Sequence, residues 1–298
     1  MPNTALWRAG ALSGLVALAL AGATAGRAET PPTPGLVADL GQGTRVVPAN
    51  SGKITAVCKY SHTLKDDPIV APGLPGASHS HDFAGNVSTD AFSRQKSLLA
   101  ARTTCDHGKD TSAVWAPSLY ADGVKVQPAA ILTYYNDGFL DRLRTPPAGL
   151  RMIAGNSSST TKQNLQIVSW ACSGDPKNIG VTEPPKDCAR DEALVLRINF
   201  PNCWDGKRLD SPDHKSHVAY SWVDGTKETC PRTHPVGIAA LNIGVRWLPA
   251  PTGRLTLASG SIFSAHTDWW NSWQQHKLRR LVDDCIIGGR TCGSVGQG

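Results

Sequence analysis

The chain has 298 residues and a formal net charge of +6 at pH 7. Its 29 Gly and 21 Pro make up about 17% of the sequence, against about 12% in average proteins. Only 18% of the residues are charged, where about 25% is usual. This composition argues against a coiled coil, a long-helix bundle and a disordered polyelectrolyte, and it favours a loop-rich fold with many short strands.

The first 28 residues predict a secretory signal peptide. Arg8 is followed by an uncharged, Gly- and Ala-rich stretch, and small residues suited to cleavage end at Ala25 and at Ala28. The apolar stretch has about 16 residues, fewer than the roughly 20 that span a membrane. We therefore expect a secreted, extracellular protein without membrane contact after cleavage, and a Pro/Gly-rich linker over 29–52.

The charge pattern of the mature chain bears on its partners. Removal of the signal takes Arg8 and Arg27 and no acid, so the mature chain is still mildly basic. Its Lys and Arg residues are scattered, whereas a nucleic-acid partner requires a basic stripe. We expect no nucleic-acid partner and a monomeric protein.

The eight cysteines all follow residue 28: Cys58, Cys105, Cys172, Cys188, Cys203, Cys230, Cys285 and Cys292. An oxidising compartment converts such an even set into disulfides, although sequence leaves the connectivity open. Closure of short loops favours Cys172–Cys188, Cys203–Cys230 and Cys285–Cys292, which leaves Cys58–Cys105. The alternative, a zinc cluster, lacks any C-x2-C pair.

Runs that are apolar or alternate apolar and polar residues, separated by Gly, Pro and Asn turn signals, predict eight strands. They are 54–60, 113–119, 130–135, 165–172, 194–200, 217–222, 241–248 and 255–261. Helical spacing is clear only near the end, where tryptophans and leucines recur at three- and four-residue intervals from Asp268 to Cys285. The sequence predicts a mainly β, disulfide-stabilised, β-sandwich-like single domain over 53–298 with a C-terminal helix.

Four polar segments carry side chains able to do chemistry. In the first, 78–86, an extended chain projects His79 and His81 from one face, where the pair could grip one metal ion or one substrate group. In the second, 200–207, a cysteine holds a tip made of Trp204 and Asp205. That arrangement suits a carboxylate at the edge of a cleft.

The third segment, 209–217, is the densest, with Asp210, Asp213, His214 and His217 among its nine residues. Pro212 is incompatible with the interior of an ordinary helix, so we expect a rigid loop. Burial of so many polar groups is costly unless they bond to one another or to a ligand.

The fourth segment, 264–271, lies at the start of the predicted helix. It contains His266, Asp268 and Trp269. Tryptophan faces there could stack on sugar rings while the polar side chains bond to hydroxyl groups.

Six blocks of the chain are HSHDFAGN, VWAPSLY, RMIAG, FPNCWDGKRLDSPDHKSHVAY, CPRTHPV and HTDWWNSW. Together they resemble the family called domain of unknown function 1996, over about 67–285. The resemblance implies an exported protein of bacterial or fungal type. Because some fungal relatives carry carbohydrate-binding modules, it also implies work on a cell wall or plant polysaccharide. It brings no established catalytic residue.

The first functional hypothesis is a carbohydrate-active enzyme, a hydrolase or a lyase, acting on an extracellular polysaccharide or cell-wall glycan. Hydrolysis needs two carboxyl groups, and Asp205 and Asp213 are the candidates for acid–base work. Elimination needs an imidazole or similar base, for which His214 and His79 are the candidates. The candidate substrate-binding residues are His81, Asn86, Trp204, Asp210, His217, His266, Asp268 and Trp269.

Three alternatives stay open. One is a metal site with a divalent cofactor, for which His79, His81, His214 and His217 are the candidate ligands. A second is a non-catalytic wall-binding protein, which needs the tryptophans and tolerates loss of the carboxylates. The third is that Asp–His pairs only brace loops near disulfides. The tertiary structure separates these hypotheses by showing whether the imidazoles and carboxylates converge.

Overall fold

A computed structural model describes residues 45–174, 180–224 and 227–293. In chain order the elements are β1 Arg45–Val46, β2 Lys53–Leu64, β3 His81–Gly85, α1 Gln95–Ala100, β4 Ala113–Pro117, β5 Leu119–Ala121, β6 Val124–Val126, β7 Ala130–Asn136, β8 Arg142–Leu143, β9 Arg151–Gly155, β10 Val168–Cys172, β11 Leu194–Asn199, β12 Cys203–Trp204, β13 Val218–Ala219, β14 Trp222–Asp224, β15 Lys227–Thr229, β16 Val236–Gly237, β17 Ala240–Trp247, β18 Leu255–Leu257, β19 His266–Trp270, α2 Gln275–Leu281 and β20 Thr291–Cys292. Among the described residues, no helix has the length and apolar character needed to cross a membrane. The predicted signal peptide, 1–28, lies outside them.

One large sheet organises the fold, in the order β10-β11-β17-β7-β2-β3-β4-β19-β9. The long strand β2 joins its two halves, because its first half pairs with β7 and its second half with β3. Where β2 pairs with β3, the register shifts between Tyr60 and His62. A β-bulge at such a shift bends the strand and increases its twist. The sheet is nearly closed, and the predicted mainly β fold is confirmed.

The best-predicted strands are neighbours in this sheet. The predicted segments 54–60, 130–135, 194–200 and 241–248 correspond to β2, β7, β11 and β17. In β17, Leu241, Ile243 and Val245 are buried and alternate with residues of the other face, which is the pattern that predicts a half-buried strand. Strand β3 was not predicted because all five of its residues are buried, so it lacks that alternation.

The C-terminal helix begins later than the sequence pattern predicts. Trp269 and Trp270 lie in β19, which is paired with β4 and β9, and α2 begins only at Gln275. All five residues of β19 are buried, and a strand buried on both faces shows an apolar run that resembles a buried helix. The prediction of a helix from Asp268 was therefore wrong.

The four disulfides have the predicted pairing: Cys58–Cys105, Cys172–Cys188, Cys203–Cys230 and Cys285–Cys292. No cysteine in the described part of the chain is left free. Such a set is typical of a protein that folds in an oxidising compartment.

The end of the predicted linker belongs to the folded body. Strand β1 pairs with β8, and the Gly52 N–H donates a hydrogen bond to the Ile286 carbonyl at 2.8 Å. The folded part therefore begins before Lys53. The rest of the predicted linker, 29–44, lies outside the described residues.

Aromatic side chains pack three adjacent strands of the sheet, β3, β4 and β19. Phe83, Trp115 and Trp270 are fully or almost fully buried in one cluster, and the rings of Phe83 and Trp115 stack at 5.6 Å. Truncation of a buried aromatic side chain to alanine costs about 3–5 kcal/mol. This core therefore fixes the relative position of two strands, β3 and β19, that also carry candidate site residues.

Buried Asp110 makes the stability of the fold depend on pH. Its carboxyl accepts a hydrogen bond from the Ser112 N–H at 3.0 Å, and burial raises its pKa to about 7 from 3.8. Between these values the folded protein keeps a proton that the unfolded chain has lost, so stability falls as pH rises through this window. One pKa unit corresponds to about 1.4 kcal/mol, which limits the loss to about 4 kcal/mol.

We expect Asp110→Asn to remove this loss, because an amide does not ionise. The free energy of unfolding in urea, measured at about pH 4, 6 and 8 for both proteins, tests the prediction. An equal slope against pH in the variant and the wild type would contradict it.

Candidate metal centre

Three imidazoles and two carboxyl groups from separate parts of the chain converge at one place. The ligand atoms of His79, His81 and His266 lie within 4.8 Å of one another, and those of Asp67, His81 and Asp268 do the same. Because His81 belongs to both groups, the five side chains form one unit, called here the His–Asp cluster.

The sheet brings these residues together through strand pairing. Strand β4 lies between β3 and β19, so His81 at the start of β3 comes close to the residues of β19. Alternation along β19 places His266 and Asp268 on one face. The rings of His79 and His81 are 4.2 Å apart, which confirms that these two residues project together.

Hydrogen bonds to backbone carbonyls orient two of the imidazoles. The Nδ1 of His81 lies 3.0 Å from the Asp66 carbonyl, and the Nδ1 of His266 lies 2.8 Å from the Ser264 carbonyl. A carbonyl only accepts, so each Nδ1–H donates and each Nε2 carries a lone pair. This is the arrangement by which proteins orient metal-binding histidines.

Several buried polar atoms of the cluster have no hydrogen-bond partner among the described residues. They are the Nε2 atoms of His79 and His81 and the Oδ2 of Asp268. Each buried unpaired polar atom costs about 1–3 kcal/mol, and a bound cation would pair all three. The Nε2 of His266 lies 4.0 Å from the Asp268 Oδ2, near the ~3.3 Å between neighbouring ligand atoms of a tetrahedral zinc ion.

Burial favours the uncharged forms of the side chains in the cluster. It lowers the pKa of all three imidazoles, that of His266 to about 4, so they are neutral ligands at pH 7. Burial also raises the pKa of Asp67 and Asp268, and the Asp67 charge raises that of Asp268 further. A divalent cation would reverse the effect on both carboxyl groups, since it favours their ionised form.

The cluster reaches solvent through one member. His81, His266, Asp67 and Asp268 are each no more than 4% exposed, whereas His79 is half-buried. An ion would therefore enter past His79 into a site whose other ligands are already shielded from water.

The 209–217 loop lies beside the cluster. The Lys215 Nζ donates to the Gly155 carbonyl at 2.7 Å, and Gly155 is paired with His266 in the sheet. In the same loop, His214 acts electrostatically on Asp67, so it is a neighbour of the cluster. It does not belong to any of the groups of converging ligand atoms found among the described residues.

His214 is held by a chain of polar contacts. Its Nδ1 lies 2.9 Å from Asp210 Oδ1, and Asp210 Oδ2 accepts a hydrogen bond from Arg151 at 3.2 Å. The Arg151 guanidinium lies 3.8 Å from the centre of the Trp270 ring. His214 also has a positive φ of 56°, a conformation that few non-glycine residues adopt and that often marks functional positions.

The sequence suggested His217 as a metal ligand or substrate contact, but the structure gives it a structural role. Its Nδ1 lies 2.9 Å from the Ser211 Oγ and its Nε2 lies 2.7 Å from the Arg151 carbonyl. Both ring nitrogens are therefore engaged, and the side chain is fully buried.

Asp205 and Asp213, the candidates for acid–base work, are also engaged. Asp205 pairs with Arg208 at 2.7 Å; burial acts to raise its pKa, but hydrogen bonds from Arg208 and Lys207 outweigh it and the pKa is lowered. The Ser211 hydroxyl and loop N–H groups hold the pKa of Asp213 far below its usual range. Neither carboxyl group suits a general acid, which must carry a proton at working pH.

Three predicted substrate contacts lie inside the protein. Trp204 and Trp269 are 3% and 0% exposed, so their ring faces cannot stack on a sugar. The Asn86 amide donates to the Leu98 and Thr111 carbonyls, which makes it part of the framework. The burial of Trp204 and Trp269 therefore contradicts the prediction that these tryptophans stack on sugar rings.

Asp67 was not identified as a site residue from the sequence. It lies just after β2, and Leu64 of β2 is paired with His81. The sequence did offer one signal for this position, the two consecutive aspartates Asp66 and Asp67 before Pro68. Their importance follows only from the pairing of β2 with β3, which the sequence did not reveal.

The fold and the cluster define a mainly β, disulfide-stabilised protein with a buried His–Asp site. The family model described as Domain of unknown function (DUF1996) matches residues 67–273, more than half of the chain, and the chain belongs to this family. The matched range contains all five residues of the His–Asp cluster. A search of curated proteins and a search of solved structures each found no match.

Proposed function

We propose that this protein is exported and binds one divalent transition-metal ion at the His–Asp cluster. His79, His81, His266 and Asp268 are the ligands, and Asp67 is a further carboxylate beside them. The observation that carries the proposal is the convergence of these side chains with buried ligand atoms that have no partner among the described residues. Imidazole and carboxylate together suit zinc, copper, iron and manganese.

The four disulfides and the signal-like N-terminal sequence support export. Both features are typical of proteins that fold in an oxidising compartment. The cluster itself contains no cysteine, so an oxidising compartment leaves its ligands unaltered.

Metal analysis of the purified protein tests the proposal. After dialysis against a chelator, titration with Zn2+ is expected to show one equivalent bound and an increase in the unfolding temperature. Chelator should reverse both effects, because only the folded protein provides the site. If zinc, copper, manganese and iron each fail to bind at one equivalent, the proposal is wrong.

A second candidate function, a carbohydrate-active enzyme acting on extracellular polysaccharide, is favoured by the Asp210–His214 pair beside the cluster. Asp210 orients the imidazole, as a carboxylate does for a histidine base. Asp205 and Asp213 are engaged in turns, so they do not suit the two carboxyl groups that hydrolysis needs. The Asp210–His214 pair therefore favours elimination. In that reaction His214 would remove the proton next to a uronate carboxylate, the electron pair of that C–H bond would form a C=C bond, and the glycosidic C–O bond would break, with water protonating the departing oxygen. A divalent ion held by the cluster would neutralise the carboxylate.

His214→Ala tests this second candidate. We expect the variant to bind zinc like the wild type but to cleave polygalacturonate or alginate about 100–10,000-fold more slowly, the usual contribution of a general base. The ultraviolet absorbance of the unsaturated product measures the rate. His276→Ala, which changes an exposed histidine, is the matched control.

If neither polymer gives an unsaturated product with any of the four metals, elimination is wrong. The rival hypothesis of a non-catalytic wall-binding protein then gains support. Equal rates for His214→Ala and the wild type would instead show that another group is the base.

A further inference from the structure

A basic pocket of about 530 Å3 lies beside helix α2, and none of the residues that line it belongs to the His–Asp cluster. Its walls come from three segments: the 107–109 loop, α2, and the turn that leads from the end of α2 to β20. Small-molecule sites usually have volumes of about 300–1,000 Å3. The pocket is therefore large enough for a small ligand.

Short contacts hold the three segments of the pocket together. The Gln274 N–H donates to the Lys109 carbonyl at 3.1 Å, which ties the loop to the start of α2. The Cys285–Cys292 disulfide closes the turn, and the Arg290 N–H donates to the Cys285 carbonyl at 2.8 Å. The frame of the pocket is thus fixed by the fold itself.

The charges that line the pocket are mainly positive. The cations are Lys109, Lys277, Arg280 and Arg290, and the acid is Asp284. Lys277 and Arg280 are three residues apart in α2, so they are neighbours on one face of the helix. Four positive charges and one negative charge give the pocket a formal charge of +3, without counting its one histidine.

These cations have no carboxylate partner among the described residues. The side chains of Lys109, Lys277 and Arg280 make no hydrogen bond or ion pair with any part of the chain that the structure describes. The Arg290 Nε donates to the Asp284 carbonyl at 2.9 Å, which orients its guanidinium group. Because like charges held close together repel one another, a bound anion would stabilise this arrangement.

The buried part of the pocket lining is apolar. Trp273 and Cys285 are each only 1% exposed, and the ring of Trp273 lies 5.7 Å from that of His107. All four cations are exposed or half-buried, so they surround an apolar base. Walls of low dielectric constant concentrate the field of the charges around a cleft, which strengthens its attraction for an anion.

We propose that this pocket binds a diphosphate group, either free or carried by a small organic molecule. One phosphoryl group carries about 1.5–2 negative charges at pH 7, so a linked pair matches the charge of the pocket. Tetrahedral phosphoryl oxygens accept hydrogen bonds from several directions, which suits donors that come from three segments. A carboxylate accepts mainly in one plane, and arginine bonds to phosphate through two parallel N–H groups.

The double variant Lys277→Gln/Arg280→Gln tests the inference in the mature protein. Lys96→Gln/Arg232→Gln is the matched control, because it removes one lysine and one arginine from exposed positions outside the pocket. The probe is inorganic pyrophosphate, and calorimetry measures its affinity. Each protein is first dialysed against a chelator and then freed of it, so that neither a metal ion nor the chelator competes for the probe or the pocket.

We expect the pocket variant to bind pyrophosphate at least about 10-fold more weakly, and the control to change the affinity less than about twofold. Asp284→Asn should act in the opposite direction and tighten binding about two- to fivefold, since it removes the charge that repels the anion. A gain in affinity does not arise from misfolding, so this variant keeps the test valid if the double variant is unstable. Added salt should weaken binding, because it screens exposed charges.

ADP and citrate complete the test. Tighter binding of ADP than of pyrophosphate would show that the diphosphate is carried by an organic molecule, and the reverse order would identify the free ion. The inference is wrong if the wild type binds neither, if the two double variants lose affinity equally, or if Asp284→Asn fails to tighten binding. Citrate bound as tightly as pyrophosphate would also overturn it, because the pocket would then attract anions in general.

Discussion

Replacing His81 with alanine is expected to lower the affinity for Zn2+ by more than about 100-fold, since even the loss of a residue that only orients a ligand costs 10–100-fold. His81 is the member shared by both groups of converging ligand atoms. It is fully buried, and its Nδ1–H is already bonded to a carbonyl, so its Nε2 is preoriented. Competition with a chromophoric chelator measures the affinity.

The same substitution should change the response of stability to zinc. A ligand present at 100 times its dissociation constant stabilises the folded state by about 2.7 kcal/mol. At the same zinc concentration the wild type should gain about this amount, and His81→Ala should gain at most about 0.4 kcal/mol. The control His276→Ala, at an exposed histidine of α2, should behave like the wild type. Equal zinc affinity in the three proteins would contradict the assignment of His81 as a ligand.

Removal of the Cys58–Cys105 disulfide is expected to cost about 4 kcal/mol of stability. The bridge closes a loop of 47 residues, and the loss of loop entropy in the unfolded chain grows with the logarithm of loop length. Both cysteines are buried, so the substitution Cys58→Ala/Cys105→Ala avoids placing two new hydroxyl groups in the core. Urea unfolding of the variant and the wild type measures the difference.

The matched control is the Cys285–Cys292 bridge, which spans only 7 residues. The same relation predicts a cost of about 2 kcal/mol for Cys285→Ala/Cys292→Ala. A larger loss from the short loop than from the long one would show that chain entropy is not the dominant effect. Native contacts at the C-terminal turn would then account for the difference.

The Cys58–Cys105 bridge should also affect the cluster. A Cβ atom built on Gly85, the last residue of β3, would lie 3.4 Å from the Cys105 Sγ, so the bridge packs against the strand that His81 begins. We expect zinc affinity to fall in the Cys58/Cys105 variant. It should stay unchanged in the Cys285/Cys292 variant, whose bridge is outside β3 and β19.

Much of the scaffold could be predicted from local pattern and chain chemistry. Strands such as β11 and β17 have one face in the core and one face that is less buried, and their alternation of apolar and polar residues predicts this. Closure of short loops favoured three of the four disulfides, because nearby cysteines meet most readily, and the fourth pair was the one left over. Strands buried on both faces gave no such signal, and the tryptophans of β19 were assigned to a helix.

The candidate site was only partly predictable. His79 and His81 are two residues apart, so an extended backbone places them on one face whatever the fold. The meeting of His81 with His266, Asp268 and Asp67 depends on the order β2-β3-β4-β19, and strand order is a long-range property. Asp205 and Asp213 resembled a catalytic pair in the sequence, but their own loops engage them locally.

By itself, therefore, the sequence determined the mainly β class, the disulfide framework and the paired histidines, because these depend on neighbours along the chain. The tertiary structure alone decided which polar residues converge in the His–Asp cluster and which are held by other contacts. The physical reason is that burial and strand pairing set whether a polar atom finds a partner. His217 finds two, while the Nε2 of His81 finds none among the described residues.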